Sequence, residues 1–465
     1  MERLTGPDAV MLHLERPTVP MHTLKIVVLD SLDRGRPITL AELRGAVAPY
    51  LGLVPRATQR VTTVAGTGGR PYWVHDPDFD LAAHLEEATL AAPTRDCFDE
   101  LCARLAERHL DRDRPLWAMT LVHGLQDGHQ AVVVRLHHAV SDGLGALNAF
   151  LAATTDRPGV VAPPSPAVRV AAPRAAALRR QARRELGALV AGVPTLVRAG
   201  RAARRNSRDF TAWDQVPGGL AGERTSFNAR GGRERVCASG ELELADLKEI
   251  ARETGATING VLHGVIAGAM RAEHAERGDL NDVPAVAVFG VAADTRSTRR
   301  WGNEIAPATV FLHTQVADPL ERLRATARSC LHAVDLRRRR GFEVTDRLFT
   351  YVPRLMPALR AAFAPHVPKV VNNITTANVA GPQHVRWFGD VAVVDWISYA
   401  VAVAPADVNL TAYSYNGRLS IGLVATPEAM PDPAAFLARL QPALDEIRQA
   451  LAVERAGPEV GALVA

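Results

Sequence analysis

The stretch from Ala131 to Gly143 reads AVVVRLHHAVSDG, and its residue types suit proton transfer. A histidine ring titrates near pH 6.5, so a small shift makes it a general base at neutral pH. Two histidines, His137 and His138, stand side by side after Val132, Val133, Val134 and Leu136, a β-branched and apolar run that reads as a buried strand. Side chains alternate along a strand, so the two rings face opposite sides and one alone addresses a given cavity. Asp142 and Gly143 form a turn dipeptide, and the carboxylate is placed to orient the loop or the ring. Leu144 to Ala153 then reads as a helix. A single histidine ending a strand is ordinarily a packing residue. The complete string H-H-x-x-x-D-G, set between a strand and a helix, points instead to a site.

The elements that must position this stretch are legible around it. Trp117 to Val122 is expected to pair with Gln130 to Leu136 as a hairpin across Asp127-Gly128. Pro115-Leu116-Trp117 opens that hairpin and is expected to support the histidine strand more than to touch a substrate. Near the start, Asp8 is expected to cap a short helix reaching Leu14, with Pro7 before it. Pro20-Met21-His22 then enters a strand with Leu24, Ile26 and Val28 on one face, a core pattern. Leu40 to Leu51 and Thr94 to His109 read as helices, the second with Thr94 and Asp96 as start signals, and Tyr72 to Val74 as a strand. Farther along, Leu242 to Thr254 reads as a helix closed by Gly255, Ala285 to Ala292 as a buried strand, and Asp318 to Leu336 as a helix. The run Arg337 to Arg340 reads as a solvated face. Val344 to Ala364 is amphipathic but interrupted by Pro353 and Pro357. Leu410 to Tyr415 and Leu419 to Val424 form a hairpin over Asn416-Gly417, and Pro433 to Val453 is a terminal helix.

At 465 residues the chain exceeds one ordinary core and suggests two domains. Its 47% apolar and 22% charged residues are those of a globular protein. No apolar h-region follows Met1, so a signal peptide is not expected, and no apolar run is long enough for a membrane span. Cys97, Cys102, Cys237 and Cys330 show neither disulfide nor metal-ligand spacing, which suggests packed, reduced thiols in a cytoplasmic protein. Fifteen histidines include no HExxH or spaced His/Cys cluster, so no metal is expected.

Charge is concentrated. Between Arg169 and Arg208 there are eleven arginines and one acid, Glu185, a surplus of +10 in a chain of net +4. This confinement to one segment argues against a nucleic-acid groove spread over the fold. Residues 156 to 173 are Pro/Ala-rich and extended. Ala175 to Arg205 reads as helical around Pro194, with Leu178, Ala182, Leu186, Leu189, Val193 and Val197 on one face. Arg179, Arg180, Arg183 and Arg184 flank that face. An interfacial helix on anionic lipid has this pattern, and so has an arginine-coated helix packed on the protein; both readings stand. The expected organisation is residues 1–155, a linker over 156–222, and residues 223–465.

Taken together, these strings resemble the bacterial wax ester synthase / acyl-CoA:diacylglycerol acyltransferase family, whose signature is HHxxxDG. The resemblance spans nearly the whole chain except about 155 to 220. It includes Pro115-Leu116-Trp117 as the PLW motif, the Pro-Met-His step into the first strand, Thr225 to Asn228 and Arg233 to Val236 opening the second half, and Asn378-Val379-Ala380-Gly381-Pro382 as the NVxGP loop. The family's Asn-Asp-Val is Asn259-Gly260-Val261 here: the asparagine carries over, as a helix cap, and the carboxylate does not.

The resemblance implies an α/β (α+β) fold of two chloramphenicol-acetyltransferase-like subdomains, with mixed sheets facing a central tunnel and His138 near its middle. It implies acyl-CoA as co-substrate without a further cofactor, and diacylglycerol or a long-chain fatty alcohol as acceptor. His138 would be the base in a direct transfer, with His137, Asp142 and Gly143 completing the motif. In related condensation domains an arginine ahead of a glycine-containing segment pairs with the motif aspartate. Arg296 stands in that place relative to Gly302, which would make Asp142 structural. Asn378, or a backbone N–H near Gly143, is the expected oxyanion donor, and Gly381-Pro382 a tight turn beside the site. Two rivals accompany this reading: a condensation-type enzyme with a carrier-protein donor, and a non-catalytic lipid-surface protein of the same fold. The expected location is cytoplasmic, peripheral to the inner membrane or lipid bodies through Arg179, Arg180, Arg183 and Arg184. The motifs specify neither chain length nor acceptor nor oligomeric state.

Overall fold

Alternation along one strand sets the two faces of the sheet that carries the motif. In β1 (His22–Asp30), Leu24, Ile26 and Val28 pack with Phe98, Cys102 and Ala106 of helix α1 (Arg95–Glu107). The intervening Val27 and Leu29 pack with Leu147 and Phe150 of helix α2 (Gly143–Ala153) on the opposite face. The computed structural model describes residues 1–31, 34–64, 71–168, 170–171, 173–229, 231–351 and 369–456. Arg169 and residues 352–368, which take most of the amphipathic stretch expected over Val344 to Ala364, lie outside the described residues.

The hairpin expected from the sequence is present. Strand β2 (Trp117–His123) pairs antiparallel with β3 (Gln130–His137), which pairs antiparallel with β1 so that His137 lies opposite His22. Residues Leu85–Thr89 add a parallel edge strand beside β2. The other edge comes from the far end of the chain. Strand β4 (Val391–Tyr399), flanked by Arg386–Phe388, pairs with β1, placing Ser398 opposite Lys25. The first six-stranded sheet therefore contains strands from both sides of the 156–222 segment, and the expected boundaries in sequence do not separate the sheets.

The second six-stranded sheet is mixed. Ala285–Ala292 and Val408–Tyr415 run parallel to a central strand, Ile374–Ala380, while Ile305–Leu312, Arg418–Ala425 and Val236–Glu243 pair antiparallel. Asn378 to Ala380 thus belong to a strand, and only Gly381-Pro382 leave it. Three helices cover one face: Ile258–Arg277, Pro319–Arg340 and Leu440–Ala456. The expected terminal helix is interrupted at Arg439, and the helix expected from Leu242 begins at Leu244 because its first residues extend a strand.

Glycine at position 260 has a packing reason. A Cβ there would lie 3.1 Å from the Ala327 Cβ of the neighbouring helix, and one at Gly268 would lie 2.9 Å from the Ala443 Cβ. With Gly264 against Leu323, glycines four residues apart let the helices approach closely. The expected cap is also corrected: Thr257, not Asn259, accepts the Gly260 N–H at 3.0 Å. Asn259 is inside the helix, where its carbonyl accepts from His263 Nδ1 at 2.7 Å.

The basic segment forms two helices, α3 (Ala175–Ala191) and α4 (Val193–Asn206). The first is docked. Leu178 and Ala182 pack on Tyr72 and Val74, the Tyr72 hydroxyl donates to Glu185 at 2.6 Å, and Arg3 pairs with Glu185 at 3.0 Å. Arg179, Arg180, Arg183 and Arg184 are exposed, and on α4 Val193 and Val197 stay 45% and 47% exposed. Among the described residues no helix is long and apolar enough to cross a membrane.

Candidate active site

The end of β3 divides the two histidines as alternation requires. His137 is fully buried on the α1 side. Its Nδ1 accepts the Ala139 N–H at 3.0 Å, so Nε2 carries the proton and points toward Glu15 Oε1 at 3.6 Å. Burial opposes ionisation of Glu15, but His137 and Arg112 outweigh it and hold the carboxyl well below the usual carboxylate range. His137 is therefore fixed, neutral and engaged in holding the strand end. Burial pushes its own ring below the ordinary histidine value.

His138 lies on the Leu136 side, and its backbone N–H donates to Met21 O at 2.7 Å. Its ring is held by Asn303, which the sequence did not single out. The Asn303 Nδ2 donates to Asp8 Oδ1 at 2.8 Å and to the His138 carbonyl at 2.7 Å, which leaves Oδ1 facing His138 Nδ1 at 3.0 Å. An amide oxygen only accepts, so Nδ1 carries the ring proton and Nε2 keeps the lone pair that a base needs. Burial pushes the ring below its ordinary pKa and the nearby Lys25 charge adds to this, while Asp142 and the Asn303 bond oppose it.

Asp8, expected as a helix cap, has this second duty instead. The helix Gly6–Leu14 is capped by Thr5, which accepts the Asp8 N–H at 3.2 Å, and the Asp8 carboxylate holds both the Asn303 backbone and its amide. The Thr-x-x-Asp spacing is itself a capping signal that identifies Thr5 as the cap. Burial raises the Asp8 pKa against the opposing hydrogen bonds of Asn303 and Thr5.

Asp142 is 1% exposed and caps α2, its Oδ1 accepting the Gly145 N–H at 2.9 Å. Its Oδ2 accepts the Glu304 N–H at 3.1 Å and pairs with Arg299. The partner is thus Arg299, not Arg296. Asp294 to Arg296 form an exposed turn in which the Arg296 N–H donates to Asp294 Oδ1 at 2.9 Å. Arg299, three residues ahead of Gly302, anchors itself on the Gly302 carbonyl at 2.6 Å and so reaches Asp142. Gly302, at φ +79°, lets this loop run beside the motif, its N–H donating to Val140 O at 2.7 Å.

Gly143 is required by its neighbours: a Cβ there would lie 2.6 Å from the Tyr413 hydroxyl and 3.2 Å from Val379. Within the NVxGP string the Val379 side chain lies against Gly143 of the motif. Gly381 sits tight against the Ser414 carbonyl with its N–H on Ser414 Oγ at 3.1 Å, and Pro382 O accepts from Asn416 N at 3.0 Å, so this turn ties two strand ends together.

The PLW residues do two things. Pro115 and Leu116 are buried, and the Leu116 carbonyl accepts the His137 N–H at 3.1 Å. The Trp117 indole N–H donates to Ala57 O at 2.9 Å, its ring stacks on His84, and it also walls a cavity. That cavity, about 480 Å³, is lined mainly by Val27, Trp117, Met119, Val134, Phe150 and Trp396, with Lys25, Val140 and Ser141 at its motif end. Its size and apolar wall are those of a small-molecule or lipid-chain site. Among the described residues no cluster of His, Cys, Asp or Glu could hold a metal ion.

Comparison with known proteins finds relatives along the whole chain. The model of the wax ester synthase/diacylglycerol acyltransferase catalytic domain matches residues 4–262, and that of the C-terminal domain of the same proteins matches residues 301–448. A Mycobacterium tuberculosis protein named as a diacylglycerol O-acyltransferase is 30% identical over 474 residues, covering 96% of this chain and 97% of its own length. Among solved structures, the wax ester synthase/diacylglycerol acyltransferase of Marinobacter aquaeolei superposes with a TM-score of 0.69 at 20% identity, over 97% of this chain and all of that one. The starter condensation domain of rhizomide synthetase, crystallised with C8-CoA, superposes at 0.58 and 13% identity, over 97% and 94%. Both structural likenesses concern the fold.

Proposed function

The chain belongs to the wax ester synthase/diacylglycerol acyltransferase family, and from that membership we propose that it moves a long-chain acyl group from acyl-CoA to a hydroxyl of diacylglycerol or of a long-chain fatty alcohol, with His138 as general base. The observation that carries the base assignment is the Asn303 clamp on His138 Nδ1, which leaves Nε2 as the free acceptor. The hydroxyl oxygen attacks the thioester carbonyl as Nε2 takes its proton. Collapse of the tetrahedral adduct then breaks the C–S bond, and the imidazolium returns the proton to the leaving thiolate. The apolar cavity beside the motif suits an acyl or alkyl chain, and membership of the acyltransferase family favours acyl-CoA over a carrier-bound donor.

A thiol-release assay with palmitoyl-CoA against diacylglycerol and a panel of alcohols tests the reading. His138→Ala should lower turnover by roughly 10²–10⁴-fold. Near wild-type turnover in that variant, with His137→Ala inactive, reverses the assignment.

We also propose that the protein works at a lipid surface, at the inner membrane or on lipid bodies, since its products are insoluble in water. Exposed Val193 and Val197 on α4, with Arg198, Arg201, Arg204 and Arg205 exposed around them, support this.

A further inference from the structure

One buried cation beside the motif has no duty in the mechanism above. On β1 the side chains directed to the cavity are Lys25, Val27 and Leu29, and Lys25 is only 6% exposed. Its Nζ donates to Ser398 Oγ at 2.6 Å and to the Tyr413 hydroxyl at 3.4 Å, and lies over the Tyr413 ring. That hydroxyl also abuts Gly143, so the ammonium, the phenol and the motif turn form one cluster.

An ammonium taken out of water is costly unless a charge or strong acceptor compensates it. Here its partners are two neutral hydroxyls. The nearby carboxylate, Asp142, is already held by Arg299, the Glu304 N–H and the Gly145 N–H. The positive charge of Lys25 is therefore left over at the end of the apolar cavity that also carries Val140 and Ser141 of the motif, near enough to His138 for the two charges to influence each other. An ammonium has three N–H donors, and two are used.

Resting on the reading of His138 as base, we propose that Lys25 is the oxyanion-stabilising residue, its third N–H donating to the thioester carbonyl oxygen. As the acceptor oxygen bonds to the carbonyl carbon, the π electrons move to that oxygen and the hydroxyl proton to His138. The ammonium, preorganised by Ser398 and Tyr413, then faces a full negative charge in a site shielded from water. When the C–S bond breaks, the pair returns to the carbonyl and the interaction relaxes. The Gly145 N–H is committed to Asp142, so it does not compete for this task.

The same placement links the pH profile to both residues. Burial lowers the Lys25 pKa to about 8, with Asp142 opposing, so the group is charged at neutral pH and loses its charge just above it. The groups facing it are Tyr413, whose phenol burial pushes up, Asp142 with its Arg299 partner, and His138.

The test is steady-state thiol release by the full chain with palmitoyl-CoA and hexadecanol. Lys25→Met should lower kcat by about 10²–10³-fold, leave KM for palmitoyl-CoA nearly unchanged, and move the acidic limb of the profile upward because a charge depressing His138 is gone. The wild-type rate should also fall above pH ~8, where Lys25 deprotonates. Wild-type kcat in a folded Lys25→Met variant, or a loss confined to KM, overturns the proposal. If that variant does not fold, a wild-type profile flat from pH 7 to 9.5 overturns it equally. An active His138→Ala variant, by contrast, overturns the base reading on which this rests.

Discussion

The ring of His138, the proposed base, is set by neighbours far away in the chain. Asn303 fixes its tautomer, Asp8 fixes Asn303, and Arg299 ties the same loop to Asp142. Replacing Asn303 by Leu should free the ring and lower kcat by about 10²-fold with little change in KM, as thiol release will show. The Asp142–Arg299 pair belongs to positioning, since the Asp142 oxygens are engaged by the Gly145 N–H, the Glu304 N–H and Arg299. Breaking a buried pair from one side costs roughly 3–5 kcal/mol. Asp142→Asn and Arg299→Leu should therefore each lower the urea midpoint and couple strongly in a double-mutant cycle, whereas Arg296→Leu should leave it unchanged. Because burial and Lys25 hold His138 below its ordinary value, turnover should persist below pH 6.5 and fall only as pH drops through that lowered value.

At the scale of elements, the two basic helices that the sequence reading treated as one stretch differ in how they meet the protein. Helix α3 is fastened to the protein through Leu178, Ala182 and Glu185, so its arginines add charge to a fixed surface. Helix α4 leaves Val193 and Val197 open to solvent. Val193→Asp with Val197→Asp should thus reduce flotation with anionic vesicles more than Arg→Gln changes at Arg179, Arg180, Arg183 and Arg184. The arginine changes should weaken binding in a salt-sensitive way, since each charge contributes about 1 kcal/mol near an anionic surface before screening. Thiol release with a short soluble alcohol should stay nearly constant in both. Unchanged flotation of both variants with loss of the soluble reaction would make the segment part of the folded core.

The whole molecule is held together by exchange between its halves. Strand β4 returns from the C-terminal half to complete the sheet that carries the motif, which is how Ser398 reaches Lys25. Buried neutral histidines stabilise each half. Burial lowers His22 to about 3, against the Leu105 carbonyl bond, and His263 to about 4, against the Asn259 carbonyl. In the unfolded chain both titrate near 6.5, so the unfolded state binds more protons below that pH. Their contribution is full above pH 6.5 and declines progressively as pH falls toward about 4 and about 3. Urea midpoints measured from pH 7.5 to 4 should fall steadily below 6.5, and His22→Gln should flatten part of that slope.

Local patterns settled a large share of this protein. The alternation of Val132 to Leu136 specified the strand, the Asp127-Gly128 and Asn416-Gly417 dipeptides specified hairpins, and the spacing of HHxxxDG placed one ring on each face, because these follow from the period of a strand and the φ preferences of turn residues. The cap of the first helix was misplaced at Asp8 although the Thr-x-x-Asp spacing marks Thr5, the residue that accepts the Asp8 N–H. What no local rule contains is which distant residue meets the site. Arg296 and Arg299 differ by three positions in an irregular loop, and only the path of that loop around Gly302 selects Arg299. Asn303 acquires its role from a helix some 295 residues earlier, and Lys25 is an isolated cation in a strand until the packed sheets bury it beside Tyr413. Periodicity is a property of neighbours in sequence; hydrogen-bond geometry and burial of charge arise only when the two sheets and the loops between them are brought together.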